Sequence, residues 1–321
     1  GAFGAAAAAS VVLGQDREMI QNALGLALCQ AGGTSQAVIE RTLAKRMLSA
    51  FAARGGVHAA QLAGTGITGP AEAFEGPGGF YSLFEDGNPD QLLDGLGERF
   101  ETLNTGIKKF PSCACNHAVI EGTLRLMSKH ALAPDDVIDA VVRISPYMNT
   151  IVGAPYDPSN DAQVAAQFSA QYSVASAVRR GRVGLDDLTV EAARDPEVGA
   201  LANQVRVEVD EGNQGLLAPA TVILATADGR YKEEVLAIPG SADAALSDED
   251  VRVKFTDCAA RGPVPMSPTQ ANRMIDVVDE LEKLFDALGA QENQVAANAI
   301  RLLLLTGARK SEVFKSTWDQ F

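Results

Sequence analysis

Residues 205–238 read VRVEVDEGNQGLLAPATVILATADGRYKEEVLAI. Val205, Val207 and Val209 alternate with Arg206, Glu208 and Asp210, the two-residue period of a strand buried on one face. Farther on, Asp228-Gly229 stands between two strand-like runs, and that dipeptide is strongly favoured in two-residue hairpin turns. DAVVRIS at 139–145 adds another strand, so the region is expected to hold three or four. Helical patterns near 117–130, 161–180 and 186–201 surround them. HAVIEGTLRLMSKH, for instance, puts Ile120, Leu124 and Met127 on one face, with His117 opening the helix. The sum is a small α+β domain over residues 85–245.

Outside that region the period changes from two residues to about four. Ala5 to Val12 and Asn22 to Gln30 are rich in Ala, Leu and Gly, residues that let helix backbones approach closely. Thr34 or Ser35 is expected to cap a further helix in which Ile39, Leu43, Met47 and Phe51 recur every four residues. Gly55-Gly56 is expected to interrupt it, with VHAAQLA resuming. The following GTGITGP matches GxGxxG, but a helix precedes it instead of a strand and Pro70 follows, so no dinucleotide site is expected. Beyond residue 245, Ser267-Pro268-Thr269-Gln270 forms a capping box with proline at the first helical position. Met274, Val277, Val278, Leu281, Leu284, Phe285 and Leu288 supply the apolar stripe behind it. These patterns predict a mainly α fold with an inserted α+β domain. Residues 1–84 and 246–288 would form one helical domain, packed together on either side of the insertion.

The 321 residues carry a net charge of −14. An acidic surface argues against nucleic acid, because phosphate binding needs clustered Lys and Arg. Four cysteines (Cys29, Cys113, Cys115, Cys258) make no CxxC pair and no disulfide framework, which reads as free thiols in a reducing cytoplasm. Three scattered histidines give no metal site. No apolar run approaches the ~18 residues a membrane helix needs. GAFGAAAAASVVLG lacks the basic start of a signal peptide, and the chain opens without methionine inside an apolar segment, so its beginning reads as cut.

Several ordered blocks resemble the MmgE/PrpD family: TLAKRMLSAFAARGGVHAAQLAGTGITGP, FEGPGGFYSLF, IKKFPSCACNHAVIEGTL, AQFSAQYSVASAVRRGRVG, and VKFTDCA with PMSPTQANRMIDVVDELEKL. The resemblance covers residues 1–288. It implies a helical domain interrupted by a lid-like α+β domain, a homodimer, and work on small di- or tricarboxylates without a metal or organic cofactor. Family members include 2-methylcitrate dehydratase, cis-aconitate decarboxylase and an iminodisuccinate epimerase. Such reactions build negative charge beside a carboxylate, and so call for fixed cations and a proton carrier with a tuned pKa.

By the resemblance, Lys45 stands at the family's active-site lysine, with Arg46 beside it. Lys109 and Cys113 belong to a second substrate-binding segment, and His117 and Tyr172 are the candidate catalytic groups. Cys113 stands where decarboxylase-like members carry histidine, Leu48 where many carry histidine or glutamine, and Ala50 where glycine is common. The family's aspartate-, threonine- and histidine-bearing segment would lie before Gly1, which leads to the expectation of a truncated, inactive chain.

Residues 290–321, which end in AIRLLLLTGARKSEVFKSTWDQF, instead resemble the start of a tyrosine recombinase (phage integrase) catalytic domain, with Arg309 at the first arginine of that family's cluster. A helix, a turn at Gly307–Arg309 and a second short helix without a catalytic role are expected there. Three readings follow: a carboxylate lyase or isomerase, a non-catalytic fusion relic, and a DNA-binding recombinase fragment.

Overall fold

The computed structural model describes residues 1–32, 35–84, 87–99 and 104–290. It divides into two compact units, Gly1–Ala245 and a second that starts at Leu246. Expectations for Thr34, for Arg309 and for the helix–turn–helix over 291–321 lie outside the described residues, as do the side chains of Phe285 and Leu288. About half of the chain is helical, and a small mixed sheet completes it.

The first unit opens with α1 (Ala2–Val12), α2 (Arg17–Leu28), the short α3 (Gln36–Ile39) and α4 (Leu48–Gly64). Asp16 caps α2, its carboxylate accepting the Met19 N–H at 2.9 Å. Where α1, α2 and α4 meet, the buried side chains are Ala6, Ala23, Ala27, Ala59, Ala60 and Ala63. An all-alanine core holds only if the helix axes come close. Gly56 makes that approach: a Cβ there would stand 2.4 Å from the Ala2 carbonyl oxygen and 2.6 Å from Ala5 Cβ. Gly55-Gly56 therefore does not interrupt a helix. It sits inside α4, where packing against α1 outweighs glycine's helix penalty of about 1 kcal/mol.

The expected long helix through Ile39, Leu43, Met47 and Phe51 is also corrected. The chain instead runs α3, a left-handed Arg41 (φ 55°), a 3-10 turn over Leu43–Met47, and then α4. Ser35 precedes α3 without a side-chain cap. The four stripe residues stand 46–54% exposed, because the break at Arg41 turns the period away from a core.

A larger core follows. After α5 (Phe80–Leu83) the chain reaches α6 (His117–Lys129), then β1 (Asp139–Ile144). Next come α7 (Pro146–Val152), α8 (Ala162–Gln167), α9 (Ala170–Arg180), α10 (Val190–Ala193) and α11 (Pro196–Ala202). These connect β1 to its parallel neighbour β2 (Val205–Val209), a pairing that requires a long crossover. β3 (Ala220–Thr226) and β4 (Gly229–Val235) are antiparallel, giving the order β2-β1-β3-β4. The hairpin turn is Ala227-Asp228, one residue earlier than expected, since Gly229 already pairs with Thr226 as the first residue of β4. α6 packs on β3 and β4, and α9 on α6, α11 and β2. Val119, Leu126, Val142, Ile144, Val174, Val178, Val222 and Leu224 fill the space between.

The second unit contains α12 (Asp248–Ala259) and α13 (Pro268–Gly289), packed as a hairpin. The expected capping box is present: Ser267 Oγ accepts the Gln270 N–H at 3.3 Å, and Gln270 Oε1 accepts the Ser267 N–H at 2.9 Å. Among the described residues no helix is long and apolar enough to cross a membrane.

Candidate functional site

The segment after Asn104 runs without helical hydrogen bonding until a 3-10 turn, Ala114–Asn116, leads into α6. One acceptor pins that turn. The carbonyl of Gln167, the last residue of α8, receives the Ser112 hydroxyl (3.0 Å), the Cys113 N–H (3.0 Å) and Asn116 Nδ2 (3.2 Å). Asn116 Nδ2 also donates to Ser112 Oγ at 3.0 Å. Three donors on one carbonyl fix the direction of the Cys113 side chain without using it as a partner.

Facing this turn is the segment around the 3-10 helix Leu43–Met47. Arg41 donates to the carbonyls of Ala154 (3.1 Å) and Pro155 (3.4 Å), and Arg46 donates to Gln163 Oε1 at 2.6 Å. These bonds tie the N-terminal segment to α8 and the loop before it. Between them opens a cleft of about 510 Å³. Lys45, Arg46, Lys108, Ser112, Cys113 and Tyr147 supply polar groups to its wall; Val38, Ile151, Val164, Phe168 and Leu217 supply apolar ones. No Asp or Glu lines it among the described residues. The Lys45 ammonium sits 5.2 Å from the centre of the Phe168 ring, a cation–π contact that holds its charge at the cleft. Lys108 Nζ donates to the Ser112 carbonyl at 2.9 Å.

Cys113 is the titratable group whose pKa this cleft moves toward neutrality. Its thiol is drawn down to about 7, chiefly because the Cys115 thiol lies within hydrogen-bonding reach and favours the thiolate. The Cys115 N–H and the Lys108 and Lys45 charges act the same way, and partial burial opposes them. The Cys115 thiol is pushed up by the same contact and by its own burial.

Lys45, Arg46 and Cys113 thus share one cleft, and three other expected site residues lie elsewhere. Lys109 forms an ion pair with Glu121 at 3.3 Å and faces a shallow surface depression with Arg125, Lys129 and Glu233. Lys108, which was not among the expected site residues, is the lysine beside Lys45 in the cleft. In a chain without helical hydrogen bonding, neighbouring side chains turn to opposite sides, so a Lys-Lys pair sends one each way. The doubled lysine was the only signal, and it could not say which.

His117 is fully buried against the Phe110 ring, with centroids 5.4 Å apart, and is absent from the cleft wall. Neither ring nitrogen has a partner in good geometry, although the backbones of Phe110, Pro239 and Ser112 lie close enough to favour protonation somewhat. Tyr172 is buried in the core of the sheet-bearing part. Its hydroxyl is held by the Asp187 and Ala192 carbonyls and by Arg180 Nη1 (3.1 Å), and burial raises its pKa. Arg309 lies outside the described residues.

Comparison with known proteins agrees with the ordered sequence blocks. Residues 1–92 match the MmgE/PrpD N-terminal domain, and residues 110–283 match the MmgE/PrpD C-terminal domain. The cis-aconitate decarboxylase-like protein oryM of Aspergillus oryzae is 30% identical over 278 residues, covering 81% of this chain and 57% of the relative. The cis-aconitate decarboxylases of Mus musculus and Homo sapiens are each 25% identical, over 293 and 295 residues. Both alignments cover 89% of this chain, with 59% of the mouse and 60% of the human protein. The chain therefore spans somewhat more than half the length of the curated relatives it matches. On the two domain matches and their order, the chain belongs to the MmgE/PrpD family.

Proposed function

We propose that this chain carries the carboxylate-binding cleft of a lyase acting on a small di- or tricarboxylate without a metal or organic cofactor. The observation that carries the reading is the cleft wall itself: Lys45, Arg46 and Lys108 with no acidic side chain among the described lining residues. A space of about 510 Å³ suits a molecule of citrate size. Decarboxylation and water elimination both leave electrons on carbon beside a carboxylate, and fixed ammonium groups stabilise that charge where it develops. Cys113, with its pKa near 7, is the group in this wall suited to give or take the proton. The names of the relatives favour cis-aconitate as the first substrate to test, with 2-methylcitrate as the dehydration alternative. As in the family resemblance, the working form is taken to be a homodimer.

Calorimetric titration at pH 7 tests the reading. cis-Aconitate should bind, and Lys45→Met or Lys108→Met should each weaken it about tenfold or more, in line with the ~1.5–3 kcal/mol of a hydrogen bond to a charged group. Lys109→Met should leave the affinity unchanged. Absence of binding to the parent chain, or equal losses at Lys108 and Lys109, would remove the cleft from consideration. Carbon dioxide release from cis-aconitate, against appearance of a double bond from 2-methylcitrate, separates the two chemistries.

A further inference from the structure

The cleft wall holds two thiols separated by a single residue. Cys113 is partly exposed and Cys115 is buried. Both cysteines line the same cleft, and the Cys115 thiol donates to the Leu216 carbonyl at 3.7 Å. The Gln167 carbonyl fixes the backbone of this turn through Ser112, Cys113 and Asn116. Lys45 and Lys108 place positive charge beside Cys113. Two thiols one residue apart thus belong to one cleft wall, the first partly exposed beside Lys45 and Lys108, the second shielded. That is the division of labour between an attacking and a resolving cysteine. The remaining thiols, Cys29 and Cys258, are exposed on elements far from this turn in sequence.

We propose that Cys113 and Cys115 form a peroxide-sensitive dithiol site in the cleft wall, with Cys113 attacking and Cys115 resolving. In the first step the Cys113 sulfur bonds to one oxygen of hydrogen peroxide. The O–O bond breaks, and the departing hydroxide takes up a proton as water, leaving a sulfenic acid. In the second step the Cys115 sulfur attacks that sulfur, an S–S bond forms and the S–O bond breaks. Hydroxide leaves with the Cys115 proton as a second water. Two electrons pass from the thiol pair to the peroxide, and a dithiol reductant reverses the change. With Ala114 alone between them, the cysteines close a small ring. Geometric strain in so short a link makes the bond easy to reduce, which suits a reversible modification. The bond would also remove the thiol proton of Cys113 from the cleft.

The test uses the full chain with Cys29→Ser and Cys258→Ser, leaving Cys113 and Cys115 as the only thiols. Hydrogen peroxide at pH 7 should lower the intact mass by two hydrogens and remove both thiols together, and dithiothreitol should restore them. Adding Cys115→Ser should instead let a dimedone-reactive sulfenic acid accumulate at Cys113. Adding Cys113→Ser should slow oxidation of the remaining thiol about tenfold or more. The proposal is overturned if Cys113 proceeds to sulfinic acid while Cys115 stays a free thiol, if the only disulfide joins two chains, or if Cys115 reacts as fast as Cys113. Should a variant fail to fold, differential alkylation of the unsubstituted chain before and after peroxide, mapped by peptide mass, makes the same discrimination. No readout uses a carboxylate ligand, so failure here leaves the function proposed above standing, and the reverse.

Discussion

His117 carries an acid sensitivity that can be signed in advance. Burial, then the nearby Lys108 charge, lowers its pKa from 6.5 to about 4. The unfolded chain therefore binds this proton more readily than the folded one between pH 6.5 and 4, and stability falls as the pH drops through that window. A shift of this size corresponds to about 3 kcal/mol, complete below pH 4. His117→Leu should lose that share: urea unfolding at pH 7 and pH 4.5 should show the parent chain falling about 2 kcal/mol more than the variant. Equal falls would mean that the ring titrates like a solvated histidine. Tyr172 invites a different test. Its hydroxyl is engaged by the Asp187 and Ala192 carbonyls and Arg180, so Tyr172→Phe should cost about 1–2 kcal/mol of stability. The cis-aconitate binding proposed above should not change; a selective loss of binding with normal stability would instead place Tyr172 at the site.

At the scale of elements, glycine in a helix separates local propensity from packing. Gly199 lies within α11, where an added Cβ would meet nothing within 4 Å, whereas at Gly56 it would meet the backbone of α1. Gly199→Ala should stabilise by about 0.5–1 kcal/mol, the ordinary gain from restricting the unfolded chain. Gly56→Ala should destabilise by about 1–3 kcal/mol by forcing α1 and α4 apart. Thermal unfolding of the two variants checks both signs, and stabilisation at Gly56 would mean that the helices do not meet as closely as described. The same contrast explains the sequence reading of Gly55-Gly56 as a break: a glycine pair weakens an isolated helix, and only the neighbouring helix shows why it is there. The strands were easier to read. Val205, Val207 and Val209 follow a two-residue period that local sterics impose, and β2 forms there. The four-residue row from Ile39 to Phe51 obeyed an equally clear rule and failed, because a single left-handed residue, Arg41, changed the direction of the chain.

Over the whole molecule, two kinds of core stabilise the first unit: an alanine core between α1, α2 and α4, and a larger aliphatic core between the sheet and its helices. Ile39, Leu43, Met47 and Phe51 belong to neither and stand 46–54% exposed. Large apolar side chains left half-exposed favour association, which fits the proposed homodimer. Sedimentation should show a concentration-dependent dimer, and Met47→Glu with Phe51→Glu should shift it to monomer. A parent chain that stays monomeric at tens of micromolar would retire this surface. The sequence by itself determined the strands, the capped α13 and the ordered blocks that mark the family, since each depends on neighbours a few residues apart or on residue order. It also pointed to Lys45, Arg46 and Cys113. Only the tertiary structure decided that Lys108 rather than Lys109 faces the cleft and that His117 and Tyr172 are enclosed by packing. It alone left Cys113 partly exposed in the cleft and covered Cys115, on a turn held by the Gln167 carbonyl. The reason is physical: the side of the chain a residue faces, the charges beside it and the dielectric around it are set by segments far away in sequence, and no local period encodes them.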